Sequence, residues 1–204
     1  MAHILWMGGS PCSGKSSIAA ILAERYGLRT YHVDEAYQEH RQRFVPAKHP
    51  CMHKWTTAPW DELWMQPAEV LLREAIACYS EHLELILKDL LAMRRSEPVL
   101  VEGTALLPDR VSGLLLSRDR ALWVVPTEAF QREHYPQRGA WVASILSQCR
   151  DPEHALQNWM DRDVAFARWV VQRTQALGLN LLDVNGQRTI AENANVVAER
   201  FQLP

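Results

Sequence analysis

The chain has 204 residues, of which 48% are hydrophobic and 23% charged, and its formal net charge at pH 7 is −2. This composition is that of an ordinary globular domain, and the weak negative charge excludes the basic field expected of a protein that binds nucleic-acid polymers or anionic membranes. No apolar run approaches the roughly 18 residues that a membrane span requires. The cysteines are scattered without paired spacing and the first strand begins at once, so we expect a cytoplasmic protein with reduced thiols and no signal peptide.

The first predicted elements surround a phosphate-binding motif. Residues 4–7 are predicted as a buried strand, and residues 16–26 as a helix that ends at Gly27. Between them, residues 9–16 read Gly-Ser-Pro-Cys-Ser-Gly-Lys-Ser and fit G-x-x-x-x-G-K-[ST], the Walker A loop. Backbone N–H groups and the helix N-terminus can bind phosphate there, with Lys15 on the β- and γ-phosphates and the Ser16 hydroxyl on Mg²⁺. The predicted nucleotide-binding residues are Gly9, Ser10, Ser13, Gly14, Lys15, Ser16 and Ser17.

The segment after the second predicted strand is less regular. That strand covers residues 28–33 and ends at Asp34 and Glu35. Over residues 36–60, basic residues alternate with histidines, and prolines interrupt any long helix. We interpret the segment as the basic and aromatic rim of a site, and a surface loop held down by tryptophans is the alternative. The tryptophans that fall close together here are Trp55, Trp60 and Trp64.

One pattern inside this segment raises the question of a metal site. His49, Cys51 and His53 are residue types that zinc accepts, but no fourth ligand is evident at a suitable spacing. We therefore expect the histidines to line a substrate pocket or the surface.

The remainder of the chain alternates between apolar strands and helices. A helix is predicted from Pro67 to Arg95, where apolar residues recur at spacings of three and four. The strand over residues 98–103 carries Glu102 at its C-terminal end. The last helix begins at Thr189, an N-cap with Glu192 three residues on. Between these we predict a helix or helical turns over 106–116, a fourth strand over 121–125, a mobile arginine-bearing region over 127–150, a long helix over 152–177 and a fifth strand over 179–184.

Strands that alternate with helices indicate an α/β fold, a three-layer sandwich around a five-stranded parallel sheet. Right-handed crossovers place the C-terminal ends of parallel strands on one edge of the sheet, so the phosphate loop, Asp34 and Glu102 should converge there. We treat residues 1–204 as one domain, in which residues 36–95 form a substrate-binding insertion and residues 127–150 a lid.

On these elements, and above all on the loop at residues 9–16, the chain resembles the P-loop kinases of the nucleoside-monophosphate-kinase-like group. That group includes uridine kinase, phosphoribulokinase, shikimate and gluconate kinases and chloramphenicol phosphotransferase. The resemblance covers the core elements over nearly the whole chain. It implies ATP and Mg²⁺ as cofactors and, as the activity, transfer of the γ-phosphate of ATP to a hydroxyl of a small molecule.

The resemblance also implies roles for two acids at strand ends. An acid at the position of Asp34 typically faces the acceptor hydroxyl and serves as its base, and the alternative for Asp34 is an N-cap of the following segment. Glu102, in Val-Leu-Val-Glu-Gly, resembles the strand-end acid of uridine kinase and phosphoribulokinase. It would hold Mg²⁺ together with Ser16, or bind substrate. Which acid acts as base and which as metal ligand stays open.

Kinases of this group place arginines from the region after the fourth strand over the γ-phosphate, where they neutralise charge during transfer. The arginines that fit this role are Arg132, Arg138 and Arg162, with Arg168 in reserve, and the alternative is a solvated helix surface. Either neighbour of Arg162, Asp161 or Asp163, could orient it. The resemblance places the adenine near residues 184–188.

Other functions stay open from the sequence alone. A nucleoside-monophosphate kinase could use Arg41 and Arg43 to hold the acceptor phosphate, although the expected Asp-Gly-x-Pro-Arg is replaced by Glu-Gly-Thr-Ala-Leu at residues 102–106. A nucleotide-dependent switch or regulatory ATPase is the alternative of another class, without the Asn-Lys-x-Asp of GTPases or the Leu-Ser-Gly-Gly-Gln of transporters. The expected partners are ATP and a small acceptor whose identity is open, with no nucleic-acid polymer and no membrane, and a homodimer stays open.

Overall fold

The computed structural model describes residues 3–94 and 97–204, with the backbone alone for residues 137 and 138. Within them, five parallel strands form one sheet in the order β2-β3-β1-β4-β5, which confirms the predicted α/β fold. The strands are β1 (Ile4–Gly9), β2 (Arg29–His32), β3 (Val99–Glu102), β4 (Ala121–Pro126) and β5 (Asn180–Val184). The helices are α1 (Lys15–Tyr26), α2 (Val33–His40), α3 (Pro50–Thr57), α4 (Trp60–Trp64), α5 (Ala68–Ala92), α6 (Pro108–Ser112), α7 (Glu128–His134), α8 (Ala140–Leu146), α9 (Pro152–Ala176) and α10 (Ile190–Arg200), with 3-10 turns at Arg118–Arg120 and Tyr135–Arg138.

The sheet is covered on both faces, which is why its strands are almost continuously apolar. Side chains alternate between the faces, so Ile4 and Trp6 point into one core while Leu5 and Met7 point into the other. The first core packs against α5 and α9, and the second against α1 and α10. The two layers of helices thereby fix β1, and the loop that follows it, at the centre of the sheet.

The predicted helices that the sequence marked most clearly are confirmed. The amphipathic pattern predicted over residues 67–95 forms α5, which ends at Ala92, and Arg95 lies outside the described residues. The long helix predicted over 152–177 forms α9. The capping box is also present, because Thr189 accepts a hydrogen bond from the Glu192 backbone while the Glu192 side chain accepts from the Thr189 backbone.

Two local predictions were wrong. The second strand does not run to Val33, because β2 pairs with β3 only as far as His32, opposite Glu102. The acidic pair Asp34 and Glu35 instead lies in the first turn of α2, where the helix dipole favours negative charge.

The segment over residues 36–60 is also more helical than predicted. Pro50 occupies the first turn of α3 and Pro59 directly precedes α4, so these prolines begin helices as well as interrupting them. Residues 127–150 likewise contain α7 and α8. Among the described residues, no helix combines the length and apolar character needed to cross a membrane.

Candidate functional site

The phosphate loop connects the C-terminal end of β1 to α1 and packs closely against the neighbouring strand. A Cβ added at Gly9 would lie 1.9 Å from the Val124 carbonyl oxygen, so only glycine fits there. Gly14 has a φ of 77°, a left-handed conformation that glycine adopts without strain, and it precedes the first turn of α1. The loop therefore presents its backbone to a cavity of about 240 Å³ that it lines from Pro11 to Ser17, together with Asp34 and Thr104.

Lys15 lies inside this loop. Its side chain is buried, and Nζ donates hydrogen bonds to the Ser10 carbonyl oxygen at 2.7 Å and to Ser13 Oγ at 3.2 Å. The ammonium group is thus held among the loop residues that were predicted to bind phosphate. Ser10 Oγ is buried without a hydrogen-bond partner among the described residues.

Ser16 and Glu102 meet at the start of α1 and the end of β3. Ser16 Oγ donates a hydrogen bond to Glu102 Oε1 at 3.0 Å, and His32 Nδ1 lies 2.8 Å from the same oxygen. Glu102 is only 3% exposed, so its carboxylate depends on these partners. A hydroxyl and a carboxylate oxygen this close together fit Mg²⁺, which binds oxygen ligands and completes its shell with water and phosphate.

The zinc pattern does not assemble into a site. The Nδ1 atom of His49 hydrogen-bonds with the backbone of Val45, and the ring of His53 packs edge-on against Phe44. Within residues 3–94 and 97–204, no three His, Cys, Asp or Glu side chains are grouped closely enough to hold a metal ion. All four cysteines lie in the described residues, and none of them forms a disulfide.

Beside the phosphate loop lies a second cavity of about 470 Å³, which we call the aromatic cavity. Its walls come from α2, α3, α4, α5, α8 and α9, and its polar groups are few. Trp64 stacks on Trp159 with ring centroids 3.8 Å apart, and Trp55 and Trp141 meet these rings edge-on. The lining residues are Pro11, Asp34, Tyr37, Gln38, Trp55, Trp60, Trp64, Ala75, Cys78, Tyr79, His82, Thr104, Ala105, Trp141, Ile145, Trp159 and Arg162.

Asp34 stands where the two cavities meet. It is exposed on the first turn of α2 and, with Pro11 and Thr104, lines both the phosphate loop's cavity and the aromatic cavity. A carboxylate in this position can face a phosphate on one side and a bound small molecule on the other.

Arg162 belongs to the wall of the aromatic cavity. It is buried on α9, its Nε lies 2.7 Å from Asp163 Oδ1, and its guanidinium carbon lies 5.1 Å from the centre of the Trp64 ring. Burial is the largest single influence and lowers the pKa of Arg162, but Asp163, Tyr79 and Tyr135 together outweigh it, so the pKa lies above its ordinary value. Asp163 also accepts a hydrogen bond from Tyr135 Oη at 3.1 Å. Of the two flanking acids, Asp163 is the one that orients Arg162.

The remaining predicted arginines lie elsewhere. Arg132 bonds Glu128 at 3.1 Å and Asp161 at 2.7 Å, and Arg168 also bonds Glu128. Neither arginine lines the cavity of the phosphate loop or the aromatic cavity. The side chain of Arg138 lies outside the described residues.

Several residues of the aromatic cavity escaped the sequence reasoning. Tryptophans 55, 60 and 64 were singled out by their spacing, but the cavity also takes residues from α5, α8 and α9. A weak signal existed in α9, where Trp159 and Arg162 are three residues apart and so share a helix face. The residues missed are Tyr37, Tyr79, His82, Thr104, Trp141 and Trp159.

Comparison with known proteins gives fold neighbours only. No protein-family model matches the chain, and no curated protein matches its sequence. Among solved structures, shikimate kinase from Aquifex aeolicus aligns with 16% identity and a TM-score of 0.47, covering 98% of this chain and 96% of that one. YorR from Bacillus subtilis, solved in complex with phosphorylated GDP, aligns with 12% identity and a TM-score of 0.46 over the same shares. These ligands and activities are those of the neighbouring proteins, and the function of this chain has to be inferred from its own site.

Proposed function

We propose that the protein is an ATP-dependent kinase that transfers the γ-phosphate to a hydroxyl of a small molecule bound in the aromatic cavity. One observation carries this proposal. Asp34 and Thr104 line both that cavity and the cavity of the phosphate loop, so a molecule in the first would adjoin a phosphate in the second. A site that only bound and hydrolysed nucleotide would have no use for a second, largely apolar cavity beside the transferring group.

The proposed roles follow from position. Lys15 and the backbone N–H groups of the loop bind the β- and γ-phosphates, and the start of α10 near Gly14 borders the predicted adenine position. Ser16 and Glu102 hold Mg²⁺, which when bound neutralises charge on the phosphates. Asp34 orients the acceptor hydroxyl and takes its proton as the oxygen bonds to phosphorus.

The arginines divide into two groups under this proposal. Arg162 is already placed at the aromatic cavity and stabilises charge or substrate there. Arg132 and Arg138 belong to residues 127–150, which we propose as the lid, and Arg132 would act only if that segment moved and released Asp161. The insertion over residues 36–95 supplies much of the acceptor's binding surface.

The described contacts disfavour a nucleoside-monophosphate kinase. Arg43 is bonded to Asp89 at 2.8 Å and Arg41 to Gln38 at 3.4 Å. Neither lines the aromatic cavity, so the two arginines proposed to hold an acceptor phosphate are in the wrong place.

The test is a screen for ADP release from Mg·ATP, with and without small hydroxyl compounds and nucleoside monophosphates. We expect a hydroxyl compound without a phosphate to raise ADP release well above the background. ADP release that never responds to an added acceptor would identify a nucleotide-hydrolysing switch and overturn the proposal.

A further inference from the structure

A buried chain of hydrogen bonds leads from the surface to the aromatic cavity. Asp89 Oδ2 lies 2.7 Å from His40 Nε2, and His40 Nδ1 lies 2.9 Å from His82 Nε2. His82 lines the cavity, and its other ring nitrogen, Nδ1, has no hydrogen-bond partner in residues 3–94 and 97–204. The function proposed above assigns no role to these hydrogen bonds, although they end at the cavity proposed to bind the acceptor.

The partners of Asp89 determine which nitrogens carry protons. Arg43 donates to Asp89 Oδ1 at 2.8 Å and Tyr31 Oη donates to Oδ2 at 3.0 Å. A carboxylate only accepts, so His40 must present Nε2–H to it. Arg43 already balances the charge of Asp89, so the contact needs from His40 only the Nε2–H of a neutral ring.

A neutral His40 with its proton on Nε2 has a lone pair on Nδ1. His82 must then donate from Nε2, which leaves the lone pair of His82 Nδ1 as a hydrogen-bond acceptor. Burial, and after it the neighbouring His40, lowers the pKa of His82 to about 3, so this ring stays neutral near pH 7.

The walls of the cavity indicate what kind of molecule could donate a hydrogen bond to His82 Nδ1. Tryptophan and tyrosine rings dominate the lining, and flat aromatic compounds pack against such rings by stacking and edge contacts. Among the described lining residues the charged ones are Asp34, at the phosphate end, and Arg162, whose charge Asp163 balances. The described walls thus leave no unbalanced cation for an anionic substrate.

We propose that the aromatic cavity binds a flat aromatic compound that carries no negative charge and whose N–H or O–H donates to His82 Nδ1, and that Asp89 and His40 are positioning residues that hold His82 in this accepting form. The proposal rests on the proposed function insofar as this compound would be the phosphoryl acceptor. His82 would then select the substrate while Asp34 acts on its hydroxyl.

Two probes of the same shape test the ligand class. Indole carries one N–H donor, and benzofuran replaces it with an oxygen that cannot donate. In NMR-monitored titrations of the full chain without nucleotide, we expect indole to bind about 10-fold more tightly, the effect of one buried hydrogen bond. Equal binding of the two probes, or binding of neither, would overturn the proposal.

Two variants test whether the preference for indole over benzofuran depends on the hydrogen bonds of Asp89, His40 and His82. His82→Gln can still donate to His40 but loses Nδ1, so we expect the preference for indole to disappear. In Asp89→Asn, Arg43 can only donate hydrogen bonds, so it contacts the amide oxygen and the amide NH₂ faces His40. His40 must then accept at Nε2 and donate from Nδ1, and His82 must accept at Nε2, so the tautomers of both histidines are reversed. His82 Nδ1 then carries a proton and repels indole. A preference that survives in both folded variants contradicts the role of His82.

The tautomer can also be observed directly. Long-range ¹H–¹⁵N spectra of the imidazole rings, with the His82 signals identified by their loss in His82→Gln, should show Nε2 protonated in the parent chain and Nδ1 protonated in Asp89→Asn. A protonated Nδ1 in the parent chain would contradict the inference.

None of these measurements needs ATP, so the two proposals fail separately. Selective indole binding together with acceptor-independent ADP release would overturn the kinase and leave this inference standing. ADP release that responds only to non-aromatic acceptors would support the kinase and overturn this inference.

Discussion

The phosphate loop and the aromatic cavity adjoin at Asp34, but they are built in different ways. The loop is one run of residues, 9–16, whose shape depends on its own glycines and on the strand and helix at its ends. The cavity draws most of its walls from helices between Val33 and Ala176, and it exists only when α4, α5, α8 and α9 pack together. Under the proposed function, local sequence thus specifies the phosphate-binding part of the site, and long-range packing specifies the part that binds the acceptor.

This difference has a consequence for substitutions. A substitution in the loop should weaken the binding and turnover of ATP with any acceptor. A substitution in the cavity should weaken the binding of the acceptor and leave ATP binding unaltered.

Lys15→Ala should have the largest effect. Loss of the ammonium group from the loop removes a charge that stabilises the transferring phosphate, and such losses cost about 100- to 1,000-fold in rate. We expect kcat/KM for ATP to fall at least that far and ATP affinity to fall with it. Lys88→Ala, on the exposed side of α5, is the matched control. Unchanged turnover and ATP binding in Lys15→Ala would disprove the assignment of the loop.

Asp34→Asn should lower the rate of phosphoryl transfer and leave ATP binding unaltered. Asparagine keeps the shape of the side chain but cannot take the proton of the hydroxyl, and loss of a general base typically costs about 100-fold or more in kcat. ATP affinity, measured by calorimetry, should stay within about 2-fold, because the phosphate contacts lie in the loop. Glu35→Gln, exposed on the same helical turn, is the control. A collapse of ATP binding would instead make Asp34 a metal or structural group.

Glu102→Gln should weaken the response to magnesium. The substitution removes the carboxylate charge beside Ser16, and loss of such a group costs about 10-fold or more in metal affinity. We expect a higher Mg²⁺ concentration for half-maximal ADP release, with Glu97→Gln, exposed before β3, as the control. An unaltered Mg²⁺ requirement would leave Glu102 with a role in substrate binding or in the structure.

The smallest effect concerns stability and pH at the far end of the aromatic cavity. Burial and then His40 lower the pKa of His82 from 6.5 to about 3. Between these values the unfolded chain binds a proton that the folded chain does not, so stability falls as the pH falls. Urea midpoints at pH 7 and pH 5 should therefore differ less in His82→Gln than in the parent chain.

The other groups near His82 set the background of that measurement. His40 and Tyr37 on α2, and Asp89 on α5, contact it or its partner, and they remain in His82→Gln. His154→Gln, at an exposed position of α9, controls for the loss of any histidine. An equal pH dependence in all three chains would mean that His82 titrates normally.

The fold, and the position of the candidate phosphate loop within it, could be predicted from the sequence because both leave local traces. Lys15, Ser16 and Glu102 lie at the ends of elements that the hydrophobic pattern revealed, and the parallel sheet brings those ends together. The end of β2 was misjudged and α2 was not predicted, since Val33 is apolar in either state and only its tertiary contacts decide between strand and helix. Val33 lies directly against Gly103, where an added Cβ would approach within 2.4 Å.

The aromatic cavity could be predicted only in part. Trp64 attracted attention by its spacing, but its stacking partner Trp159 is nearly a hundred residues away, on the face of an ordinary amphipathic helix. His82 looked like any residue of the apolar stripe of α5. Its connection through His40 to Asp89 requires α2 to lie against α5, and nothing in one-dimensional spacing indicates that contact.

The most direct test of the central claim follows the phosphoryl group itself. ATP labelled with ¹⁸O in the γ-phosphate is incubated with the protein, Mg²⁺ and the acceptor that raises ADP release, and the products are separated by mass spectrometry. The account predicts the label in a phosphate ester of the acceptor, abundant with the parent chain and scarce with Asp34→Asn. Label found in inorganic phosphate alone would contradict it.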